Sequence, residues 1–72
     1  RAQFNLGAMY NLGRGVIQND IYAHMWMNIA GSNGAKYGAT NRDIFAKGMT
    51  PSQVEKAQDL ARKCVAKNYK DC

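Results

Sequence analysis

The side chains able to do chemistry in this sequence are few, and their spacing decides what they can do. His24 is the sole histidine, and one imidazole alone cannot assemble the usual zinc donor set. On a helical wheel it falls beside Asn28, away from the Trp26 stripe, which predicts that it faces solvent. Cys64 and Cys72 miss the Cys-x-x-Cys spacing, so thioredoxin-like exchange and covalent haem attachment lack their motif. On one continuous helix the two sulfurs would lie about 12 Å apart along the axis, beyond disulfide reach. They pair only if the helix stops near Lys67 and the tail turns back, and Asn68, which tolerates a left-handed backbone, suits such a stop. The alternative is two free thiols. A closed loop this short contributes roughly 2.5 kcal/mol, a large share of a small domain's stability. The bonded form places the chain in a periplasm or outside the cell; the free form leaves it in the cytoplasm.

Ser32 and Ser52 are the only serines, and neither occupies a Gly-x-Ser-x-Gly elbow. A hydrolase would also need a base beside the hydroxyl and an oxyanion hole, for which short helices offer little. Among Asp20, Asp43, Glu55, Asp59 and Asp71, only Glu55 and Asp59 stand one helical turn apart. They read as partners of Lys56, Arg62 and Lys63 rather than as an acid and base pair. Gly13-Arg14-Gly15 has neither the longer glycine pattern nor the Walker lysine of a phosphate cradle, and reads as a turn. Lys56, Lys63, Lys67 and Lys70 form a basic face with Tyr69 as the one nearby aromatic. That pattern fits a solvated face, or weak attraction to an acidic surface, better than specific DNA or RNA recognition.

Seventy-two residues limit the chain to one domain, with a core that is marginal alone. At 46% apolar residues and a formal charge of +5, the composition is that of a folded chain rather than a disordered one. No run of eighteen apolar residues exists, so no membrane span is expected. The chain opens at Arg1 and enters a helix almost at once, so we read Arg1 as the edge of a fragment with further repeats before it.

Four helices are predicted to position these groups. The first runs over about Ala2–Leu12, with Ala2, Leu6, Met9, Tyr10 and Gly13 at steps of three and four. A second stripe, Phe4, Ala8 and Leu12, lies on nearly the opposite side. Gly13 to Asn19 forms a turn, with Val16 plugging its end. Asp20 is expected to cap the second helix, with Asn19 competing. That helix covers about Ile21–Ser32, carries the stripe Ala23, Trp26, Met27 and Ala30, and ends at Gly34. Trp26 is its anchor, set against Leu6 and Tyr10. The third helix spans about Tyr37–Lys47, with Ile44 and Phe45 as its apolar contacts and Gly48 as its stop. Thr50-Pro51-Ser52-Gln53 is the clearest start: Thr50 caps, Pro51 fills the first position and Gln53 completes a capping box. The fourth helix then runs to about Lys67 and buries Val54, Ala57, Ala61, Cys64 and Val65, supported by Leu60.

Ala2, Leu6-Gly7, Tyr10, Gly13-Arg14-Gly15-Val16, Asp20, Ala23, Trp26, Ala30, Gly34 and Ala39 together resemble the Sel1-like repeat, a tetratricopeptide-related helical hairpin. The resemblance covers residues 2–39 as one regular repeat, and residues 40–72 look like the divergent capping hairpin and tail that close such arrays. It implies an all-α fold, a right-handed solenoid of antiparallel hairpins, and a role as a protein–protein interaction scaffold without catalysis, metal or cofactor. The expected partner is an unidentified protein or peptide, held at Gln3, Asn5, Ala8 and Asn11 by shape and by hydrogen bonds to the Asn and Gln amides. Phe4 and Leu12 are expected to meet a preceding repeat or a second copy. Some secreted relatives have been associated with beta-lactams, which makes a cell-envelope enzyme using Ser32 or Ser52 one rival; a basic anion-binding cap using Lys56 and Lys63 is another.

Overall fold

In the computed structural model, which describes residues 2–70 and 72, the described residues form four α-helices: α1 (Ala2–Leu12), α2 (Asp20–Ser32), α3 (Gly38–Ala46) and α4 (Pro51–Ala66). Arg1, read above as a fragment's edge, and Asp71, one of the carboxylates weighed, lie outside the described residues.

Local signals account for the helix ends. Asn19, not Asp20, is the cap of α2: its Oδ1 accepts from the Tyr22 N–H at 3.1 Å, leaving Asp20 as the first helical residue. At the other end Gly34 adopts φ +94°, and the Ala35 and Gly34 N–H groups donate to the Ala30 and Gly31 carbonyls at 2.9 and 3.2 Å, a Schellman closure. The Thr50–Gln53 capping box opens α4 with both reciprocal hydrogen bonds, at 3.2 and 2.9 Å, and Pro51 in the first position. The same closure ends α4, with Asn68 at φ +55° and the Tyr69 N–H donating to the Cys64 carbonyl at 2.8 Å. That reversal brings the tail back, and Cys64 and Cys72 are joined by a disulfide across a Cα separation of 5.6 Å.

The expected solenoid does not form. In an array each hairpin touches only its neighbours and the molecule elongates. Here α2 is central, and α1, α3 and α4 each pack against it. The extents are 28 × 24 × 23 Å and the radius of gyration is 10.8 Å, matching the roughly 11 Å of a compact domain of this length. The reason lies in α2. Its Ala23, His24, Met25, Trp26 and Met27 are consecutive and all buried, so α2 is covered all round by the other three helices and leaves no side free for a neighbouring repeat to stack on.

The core is the cluster Met25, Trp26, Ile29, Ala61 and Cys64, with Leu6, Tyr10, Tyr22, Leu60 and Cys72 packed against it. Trp26 is thereby enclosed between α1 and α4, and the Tyr10 and Tyr22 rings meet edge to face at 5.4 Å between centroids. Gly7, the buried residue of α1, sits where a Cβ would meet Met27 at 3.1 Å and the Ala23 carbonyl at 3.3 Å.

α3 docks by a different device from the apolar contacts expected of it. Ile44 is 52% exposed, while Phe45 is half-buried. The seam is instead glycine on glycine: a Cβ on Gly38 would stand 2.4 Å from the Gly31 nitrogen, so only two bare backbones can approach this closely. Val65, expected in the buried stripe of α4, is also half out in water, because the stripe narrows to Ala57, Ala61 and Cys64 where α4 crosses α2.

Candidate functional site

A concavity of about 580 Å³ lies where the first turn of α1 faces the α2–α3 loop. Phe4 and Asn5 form one wall, and the loop from Asn33 to Tyr37 forms the other. The loop takes this path because the closure at Gly34 ends α2 abruptly, while the Gly31–Gly38 contact pins the start of α3 against α2. Asn33, Lys36 and Tyr37 are left exposed, with the Lys36 Nζ 5.4 Å from the Tyr37 ring centroid. Among the described residues, no carboxylate lines the cleft.

The structure separates the four residues expected to hold a partner. Asn5 lines the cleft. Gln3 serves an internal tie: its Oε1 accepts from Asn33 Nδ2 at 3.0 Å, and the same amide group reaches the Tyr69 hydroxyl at 3.2 Å, joining α1, the end of α2 and the tail. Asn11 offers its backbone carbonyl to Gln18 Nε2 at 2.8 Å, closing the α1–α2 turn. Ala8 is half-buried. Phe4 walls the cleft, and Leu12 is 59% exposed at the far end of α1. Lys36 and Tyr37 were not among the candidate site residues; the sequence signal for them is an exposed cation and an aromatic ring held between Gly34 and Gly38.

His24 is the clearest correction. Rather than meeting solvent it is 1% exposed, and its Nδ1 has no hydrogen-bond partner. The angle beside Asn28 is right, but that side of α2 is roofed by α3: Asn28 accepts from Arg42 at 3.0 Å, and Gly31 touches Gly38. Burial, reinforced by the Arg42 guanidinium, holds the imidazole's pKa below its ordinary value, with Asp43 pulling the other way.

Ser32 borders a shallow groove with Asn28, Ile29, Ala61, Arg62 and Val65, and Ser52 lies on the far flank of α4 beside Glu55 and Lys56. Asp59 bridges Lys63 at 3.0 Å and Arg62 at 3.3 Å, and Lys63 draws its carboxyl below the usual carboxylate range. Two of the cations on that face are thus already committed to Asp59. Among the described residues, no cluster of three metal-ligating side chains occurs, and no helix is long and apolar enough to cross a membrane. Comparison of the chain with family models, curated proteins and solved structures returned no match.

Proposed function

We propose that this chain is a small, disulfide-closed interaction module that docks a segment of a partner protein in the cleft between α1 and the α2–α3 loop. The carrying observation is the cleft itself. Its volume of about 580 Å³ accommodates one or two side chains, and Phe4 and Tyr37 supply apolar walls beside the amides of Asn5 and Asn33. Lys36 in the lining and the net charge of +5 favour a segment in which an Asp or Glu adjoins an apolar side chain. The Cys64–Cys72 bond supports an oxidising compartment, a periplasm or the cell exterior.

Selection of a random peptide display library on the intact oxidised chain tests this. Acidic-apolar peptides should be enriched, their binding should weaken with salt, and Tyr37→Ser or Lys36→Glu should weaken it tenfold or more. Selected peptides without acidic residues, or binding indifferent to both substitutions, would refute the reading.

A further inference from the structure

We propose that His24 is an acid-sensitive latch: when its buried imidazole takes up a proton, α3 lets go of α2 while the core of α1, α2 and α4 stays folded.

The geometry places the imidazole in the α2–α3 seam. His24, Asn28 and Gly31 lie on one side of α2 at steps of four and three, and the latter two are among the residues that α3 touches, with the Met27 carbonyl beside them. With 1% exposure and an unpartnered Nδ1, the ring is held neutral, because a proton on Nδ1 would be buried with no acceptor. The charges that act on it come from α3, where Arg42 opposes protonation and Asp43 favours it. Arg42 donates to Asp43 within α3 and to Asn28 across the seam, each at 3.0 Å, so its guanidinium cannot move off without breaking the hydrogen bond that ties α3 to α2. α1 carries no charged side chain, and its Tyr10 packs toward Tyr22 and the core. On α4, Asp59 is engaged with Arg62 and Lys63, and none of Glu55, Lys56, Asp59, Arg62 or Lys63 acts on the imidazole.

α3 is also the element built to open. It has nine residues, its start at Tyr37 has no side-chain cap, and it contributes no residue to the core cluster. Every residue of that cluster, the disulfide sulfurs included, belongs to α1, α2, α4 or the tail. The relief of protonation therefore comes by losing α3 and admitting water, leaving the larger apolar contacts in place. Because folding lowers the pKa, the docked state is fully stable above the free histidine's value and loses stability as pH falls below it. Lys36 and Tyr37 directly precede α3, so opening also loosens a wall of the cleft; that consequence rests on the docking reading, whereas the opening itself is measured without a partner.

Amide hydrogen exchange on the intact oxidised chain, expressed as protection factors at pH 7.5 and 5.0, tests the latch. Protection in α3 should fall by up to about thirtyfold, the ratio set by a free-histidine pKa of 6.5 at pH 5.0, while protection in the α1, α2 and α4 core changes much less. His24→Gln should abolish the fall. Arg42→Gln, which spares the imidazole, should shrink it by raising the docked pKa. Unchanged protection in α3, an equal loss across all four helices, or a fall undiminished in both variants would overturn the proposal.

Discussion

Replacing Gly38 by Ala tests how α3 is held. A Cβ there would meet the Gly31 nitrogen at 2.4 Å, the Gly31 Cα at 2.7 Å and the Met27 carbonyl at 2.9 Å. All three belong to the backbone of α2, so no rotamer change relieves the overlap. α3 must retreat by about 1 Å, the difference between 2.4 Å and the 3.4 Å at which ordinary contact begins. A gap of that size forfeits a quarter to a half of the dispersion along the rest of the seam. Overpacking of this kind costs up to about 3 kcal/mol, against a helix-propensity gain of at most about 1 kcal/mol. The net loss is about 2 kcal/mol, or a melting temperature lower by roughly 8–16 °C for a domain of this size. Urea denaturation followed by Trp26 fluorescence measures it, with Gly48→Ala as control. A Cβ at Gly48 meets only the Phe45 carbonyl at 3.8 Å, so the control should stay within about 0.5 kcal/mol of the native chain. A Gly38→Ala chain as stable as that control would refute the glycine seam.

Two further outcomes follow from the ends of α4. Cys72→Ala opens an eight-residue loop and should lower stability by about 2.5 kcal/mol, seen as a matching drop in the urea midpoint that reducing agent reproduces in the native chain. Thr50→Ala removes the hydroxyl that accepts from the Gln53 N–H and should cost about 1 kcal/mol, with circular dichroism showing the same helix content at low temperature.

What the sequence determined by itself is local. Thr50, Pro51 and Gln53 announce the start of α4, and Gly34 and Asn68 mark where α2 and α4 turn out, because a cap or a left-handed residue acts within a few positions of itself. The four helices and their bounds follow from such signals to within a residue or two. Whether Cys64 met Cys72 hung on a single reversal, so Asn68 made the disulfide possible and the folded tail decided it. Which side of a helix is wet was decided only by the tertiary structure. The wheel set His24 beside Asn28 correctly, yet burial depended on where α3, fourteen or more residues onward, came to rest. The same holds for the contact of Gly31 with Gly38 and for α3 and α4 both choosing α2. Periodicity reports that a face is apolar or small; it does not report which neighbour covers it, and that choice turned an expected array into a single compact unit.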